Sequence, residues 1–129
     1  MSASTIMWVA AGLAGLTHVL FFFLESVLWG KPAVNRIFRQ TPENAEITRL
    51  LAFNQGFYNL FLAIGVFTGI VIVNRGMPAI GAAVVAFGCA SMLGAALVLL
   101  GSSRKLWRGA LIQGLPPLVF LVSFARLVF

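Results

Sequence analysis

The stretch "LAFNQGFYNLFLAIG", residues 51–65, sets four polar side chains inside an apolar run. Asn54, Gln55, Tyr58 and Asn59 stand together, and hydrocarbon side chains continue beyond them to about Val73. A run of this kind reads as a helix that crosses a bilayer, because about 20 apolar residues span a hydrocarbon core of about 30 Å. Amides and a phenol at such a depth need partners, so the helix that carries them is expected to face other helices.

Working outward, three more runs of similar length appear. The four together cover about residues 6–29, 47–73, 78–100 and 106–128. Hydrophobic residues make up 60% of the 129 and charged residues 9%, whereas a soluble domain is about half apolar and about a quarter charged. The chain cannot hide that much apolar surface from water, so lipid is its solvent. Backbone groups in lipid must bond within their own segment, which makes each run a helix. The expected fold is all-α: a single integral membrane four-helix bundle over residues 1–129, with both termini on the same side. The N-terminal run lacks a basic leader and is too long for a secretory signal, so it is read as a retained first span.

The net charge is +6. Nucleic acid is not the implied partner, because the basic residues sit in short connections and not along a face. Lys31, Arg36, Arg39, Arg49, Arg104, Lys105 and Arg108 lie at one end of the spans, against Arg75 and Arg126 at the other. The positive-inside rule places residues 30–46 and 101–108 in the cytoplasm and both termini outside. The expected location is the bacterial cytoplasmic (inner) membrane. Trp8, Trp29 and Trp107 fall near span ends, as interfacial anchors do.

The connection "GKPAVNRIFRQTPENAE", residues 30–46, holds its own signals. Thr41 is placed to cap a helix whose first position is Pro42, with Glu43 and Glu46 near the positive end of its dipole. Val34, Ile37 and Phe38 fall on one side of a helical turn, consistent with either a small interfacial helix or a plain loop. "NRGMP", residues 74–78, is a tight turn, and "GSSRKLWRG", residues 101–109, is a short link.

Ionisable groups inside a span are the first candidates for function. His18 lies in the middle of the first span, and Glu25 follows seven residues later on the same face, roughly 10 Å along the axis. A carboxyl there is expected to be paired, hydrogen-bonded or protonated. The second span runs the other way and brings Asn54, Gln55, Tyr58 and Asn59 to comparable depths. Gln113 on the fourth span is expected near the depth of Glu25. Asn54, Gln55 and Asn59 taken alone read equally well as interhelical glue, worth about 0.6 kcal/mol, and Gln113 alone favours that reading. Glu25 and His18 are therefore the candidate catalytic residues, with Asn54, Gln55, Tyr58, Asn59 and Gln113 as candidate ligand-binding residues.

No metal or cofactor is expected. Cys89 and His18 are each the single residue of their type, which excludes an intrachain disulfide, a cysteine-based zinc site and haem held by two histidines. His18 and Glu25 are two turns apart, too far for one ion without other ligands between them. No phosphate-binding loop or hydrolase elbow is present. Ala82, Ala86, Ala90 and Gly94 recur every four residues, and Gly65 and Gly69 form a GxxxG pair. Both are seams for close helix approach, within the bundle or between two copies as a homodimer. Pro116 and Pro117 are expected to bend the fourth span and free carbonyls near Gln113.

With "THVLFFFLESVLW", residues 17–29, and "LAFNQGFYNLFLAIG" in view, the chain resembles a family of small four-span bacterial membrane proteins catalogued as domain of unknown function 1304. The likeness rests on His18, Glu25, Leu28–Trp29, Lys31–Pro32, Thr41–Glu43 and Asn54–Asn59. It implies a four-helix membrane fold and brings no established activity.

Three functions compete. The first is a buried polar site that binds a small lipophilic ligand, with isomerase- or cyclase-like acid–base chemistry at Glu25 or His18. The variety of polar groups favours it, since a specific ligand needs differently shaped partners. The second is proton-coupled transport of a small molecule or cation by a dimer working through Glu25. The third is a structural or accessory subunit in which the polar cluster is glue.

Overall fold

The computed structural model describes residues 2–128. Helix α1 (Ala3–Phe22) is capped by Ser2, whose hydroxyl accepts from Thr5 N at 3.2 Å. It runs directly into a π-helical turn, Phe23–Val27. Two short helices follow, α2 (Pro32–Phe38) and α3 (Pro42–Ile47). The long helices α4 (Arg49–Asn74), α5 (Pro78–Ser102) and α6 (Trp107–Val128) complete the described chain, with one 3₁₀ turn at Arg104–Leu106.

Among the described residues, four segments are long and apolar enough to cross a membrane: Ser4–Val27, Arg49–Asn74, Pro78–Ser102 and Arg104–Val128. They pack as a ring. α1 lies beside α4 and α6, α5 lies beside α4 and α6, and α1 and α5 face each other across the diagonal. The start of α1, the end of α6 and the 75–77 turn share one end of the bundle, called here the terminal end. The α1–α4 connection and the 3₁₀ turn share the other, the loop end. An even number of antiparallel spans brings both termini to the same side.

Small residues set the helix spacing. A Cβ added to Gly81 would come within 2.5 Å of Gly69 O and 2.7 Å of Val73 N, so α4 and α5 meet almost backbone to backbone near the terminal end. One on Gly15 would meet the Phe67 ring at 2.7 Å, and one on Gly114 would meet Ala96 Cβ at 2.8 Å. Close approach of this kind is how helices associate in lipid, where no hydrophobic force drives them together. The core between these contacts is apolar in its terminal half: Met7, Ala11, Val85, Cys89, Met92 and Phe120 are buried there. Trp8 closes it against Phe120, with ring centroids 6.0 Å apart.

Toward the loop end the facing positions of α4 and α5 become exposed. Gly81 and Gly88 are buried, but Ala95 and Ser102, on the same face one and two heptads further, are exposed. On α4 the matching series runs from buried Gly69 through half-buried Leu62 to exposed Gln55. The drift of ~20° per heptad is too small to turn a buried position outward. The glycine contacts pin one end of the pair, and at the other end these facing positions are exposed.

Residues 28–48 fold into a cap, and of the two alternatives for this segment the helix holds, as Pro32–Phe38. Trp29 is its centre. The indole Nε1 donates to Ala45 O at 2.8 Å, and the ring packs edge-on against Phe38 at 5.0 Å. Buried Asn35 donates to Gly30 O at 3.3 Å and accepts from Gln40 Nε2 at 3.2 Å. Gly30 turns the chain with φ +85°, a left-handed conformation suited to glycine. Thr41 caps α3 as expected, accepting from Asn44 N at 3.2 Å. Glu43 is held below the usual carboxyl range by its own backbone N–H and then by the Thr41 hydroxyl. Glu46 is held down by its hydrogen bond to Arg49 and by that residue's charge, with Arg49 Nη2 at 2.7 Å.

Candidate functional site

The π turn shapes the site. Leu28 N donates to Phe23 O at 2.8 Å, an i→i+5 bond that takes one residue more than an α turn. Glu25 sits in the middle of this turn. Its direction is therefore displaced from the one that a continuous α-helix through His18 would give it. α4 comes in close alongside: a Cβ on Gly56 would strike Ser26 Oγ and lie 3.0 Å from Ser26 N and 3.1 Å from Phe22 O. Ser26 Oγ donates to Phe53 O at 2.8 Å across the same seam. One turn past Gly56, Asn59 Nδ2 donates to Glu25 Oε2 at 2.7 Å. Asn59 is 6% exposed, and Glu25 is half-buried.

His18 lies deeper, 1% exposed, with its ring edge-on to Phe21. Its Nδ1 is 2.9 Å from Ala14 O. A carbonyl can only accept, so Nδ1 carries a proton and a neutral ring presents Nε2 as its acceptor. No hydrogen bond joins His18 to Glu25 among the described residues.

Gln113 is buried on α6 at 9% exposure. The Trp8–Phe120 contact gives the register of α1 against α6. Gln113 is seven residues from Phe120, or roughly 10 Å along the axis, which makes it level with Gly15 and about one turn from His18. The expected level with Glu25 is corrected: Glu25 is a further ~15 Å toward the loop end. α6 runs as one helix through Pro116 and Pro117. Pro117 is fully buried and lacks the N–H that would bond Gln113 O.

The remaining candidates stand apart. Asn54 and Gln55 are exposed, and Tyr58 is 63% exposed. Gln55 is one of the exposed facing positions of α4 and α5, whereas Asn54 and Tyr58 point away from the bundle. The structure thus joins Glu25 with Asn59, places His18 and Gln113 deeper within the interior, and leaves Asn54, Gln55 and Tyr58 on the outer surface. On α5, Ala82 and Ala86 are partly buried, and Ala90 and Gly94 are exposed. Of the GxxxG pair, Gly69 lies in the seam with α5 and Gly65 has nothing within 4 Å of an added Cβ.

Two residues escaped the sequence reading: Gly56, which allows the helices to touch, and Ser26, which ties them. The spacing Ala52–Gly56–Asn59–Ala63 carried the signal, since these small residues mark the buried face of α4.

A ring of four apolar helices with one carboxyl–amide pair linking two of them defines a polytopic helical membrane protein with an ionisable group inside the bundle. Residues 12–125 match the family model described as "Protein of unknown function (DUF1304)", and the chain belongs to that family. No curated protein and no solved structure matches it.

Proposed function

We propose that this protein binds a small lipophilic molecule bearing a polar group, and that Glu25 meets that group. One observation carries the reading. Asn59 holds Glu25 Oε2, while Oε1 has no partner among the described residues and the side chain is only half-buried. A carboxyl clamped by one oxygen and open at the other is positioned and still available. Such a group can exchange a proton with a bound molecule, the chemistry of an isomerase or cyclase. His18 is a second titratable group further inside. The exposed facing positions of α4 and α5 toward the loop end support entry from the bilayer, passing Gln55 on the way to Asn59. The proposed setting is the bacterial inner membrane, with the loop end in the cytoplasm.

The π turn favours transport as a second reading. Rewinding that turn to α geometry would swing Glu25 around the helix, a motion suited to presenting a proton or cation to either side.

The two readings part in a pair of measurements. Mass spectrometry of small apolar molecules that co-purify with the wild type is expected to find a bound species, depleted in Glu25→Ala and Asn59→Ala. Retention of the same species in both variants would end the first reading. Transport instead requires that proteoliposomes show a proton flux abolished by Glu25→Gln.

A further inference from the structure

The outer surface of α4 has two faces of different chemistry. Phe53, Ile64 and Val71 are exposed on one, as lipid contact requires. The other carries Asn54, Tyr58, Phe61, Gly65, Thr68 and Ile72. Asn54, Tyr58, Phe61 and Thr68 are exposed there, and a Cβ on Gly65 would meet nothing within 4 Å. The side chains of Asn54, Tyr58 and Thr68 make no hydrogen bond among the described residues.

These positions are deep. α4 has 26 residues and is about 39 Å long at ~1.5 Å per residue. Arg49 and Asn74 mark its ends, which centres it near Phe61 and Leu62. Tyr58 then lies about 5 Å from the midplane, Thr68 about 10 Å and Asn54 about 11 Å, all inside the ~15 Å half-thickness of hydrocarbon. That is too deep for the aromatic belt and for water. The outward face of α1 (Ile6, Val9, Leu13, Leu16, Leu20) carries no such groups.

The chemistry of the face, with a spacing that a second helix can match, points to what covers them. The six residues step by 4, 3, 4, 3 and 4, the rhythm of two helices packed at about +20° with knobs in holes. Gly65 in the middle lets a backbone come close. Copies of one membrane protein insert the same way, so a twofold axis along the membrane normal sets each seam residue against its own counterpart. Only groups that both donate and accept, or are apolar, are satisfied by themselves. The amide of Asn54 and the hydroxyls of Tyr58 and Thr68 meet that condition, and the seam contains no charge to repel itself.

We propose that the Asn54–Tyr58–Phe61–Gly65–Thr68 face of α4 is the interface of a parallel homodimer. The proposal is independent of the ligand-binding reading.

Cysteine cross-linking in native membranes tests it. Phe61→Cys, Gly65→Cys and Thr68→Cys are expected to give disulfide-linked dimers under mild oxidation. Phe53→Cys, Ile64→Cys and Val71→Cys are the controls on the other outward face, and Ala90→Cys and Gly94→Cys report on the small-residue face of α5. All these positions lie at the surface, so the folded bundle tolerates them. Cross-links confined to the seam positions support the interface. Cross-links confined to α5, equal linking on both faces of α4, or no linking at the seam would each overturn it. In mild detergent, Asn54→Leu combined with Tyr58→Phe is expected to raise the dimer dissociation constant by roughly tenfold. An unchanged constant would overturn the assignment of the polar groups as the contact.

Discussion

Gly56 and Ser26 are in direct contact between α4 and the π turn, with no room for a methyl group between them. This contact sets the distance over which Asn59 reaches Glu25. Gly56→Ala is therefore expected to push the helices apart, weaken the Asn59–Glu25 hydrogen bond and destabilise the bundle by about 1–3 kcal/mol, as overpacking does. Gly12→Ala, in the interior of α1 and away from the α4 faces, is the matched control. Its added carbon meets nothing, and alanine is the better helix former by about 1 kcal/mol. Thermal unfolding in detergent should separate the two variants clearly.

Removal of the Asn59 amide should be felt more than a change at its partner. Glu25→Gln keeps an acceptor for Asn59 Nδ2, so the fold is expected to survive with little change in melting temperature. Asn59→Leu leaves the Glu25 carboxyl without its donor and is expected to cost about 1–3 kcal/mol. Equal melting temperatures for wild type and Asn59→Leu would show that the pair contributes nothing to the bundle.

The orientation is open to direct measurement. Seven basic residues at the loop end against two at the terminal end predict that the loop end is cytoplasmic. Lys105→Cys, at an exposed position, should be shielded from impermeant thiol reagents in intact cells and react once the cells are broken. Labelling of intact cells would reverse the assignment.

Acid is expected to loosen the cap. Glu46 ionises below its ordinary value of 4.5 because Arg49 bonds it and attracts it. A carboxyl depressed in the folded state contributes stability above the unfolded value and loses it as pH falls through the lower, folded one. The pair is exposed, so the effect is small and salt-sensitive. Trp29 fluorescence, read with Trp8 and Trp107 replaced by Phe, should shift only below about pH 4.5. The shift should be smaller in Glu46→Gln and vanish once Glu43→Gln, the other depressed carboxyl of α3, is added.

The spans and the shared side of the termini were legible because length and hydropathy suffice for them. Residues 78–100, for instance, became Pro78–Ser102. Which face of α4 turns inward was not legible from its polar residues. In lipid the core and the solvent are both apolar, so hydrophobic periodicity loses its meaning. Asn59 and Tyr58 look alike in the sequence, yet one is buried and the other exposed. Close packing separates them: Ala52, Gly56 and Ala63 flank Asn59 on its face, whereas the face of Tyr58 carries Phe61. The π turn left no trace either, because a change of hydrogen-bond register has no side-chain signature. That turn displaced Glu25 from the straight projection through His18. The level of Gln113 depended on how α6 slides against α1, which Trp8 and Phe120 settle and hydropathy does not.

The π turn also changes how this helix should respond to a shortened chain. Deleting one residue from a membrane helix ordinarily rotates everything beyond it by about 100°, which turns its packed face to lipid. Phe23–Val27 already holds one residue more than α geometry needs. Loss of Leu24 would let the turn wind as plain α-helix while Phe22 and Leu28 keep nearly the same places. A deletion scan along the first span should therefore find a single tolerant window here, flanked by positions where the loss of any residue abolishes folding.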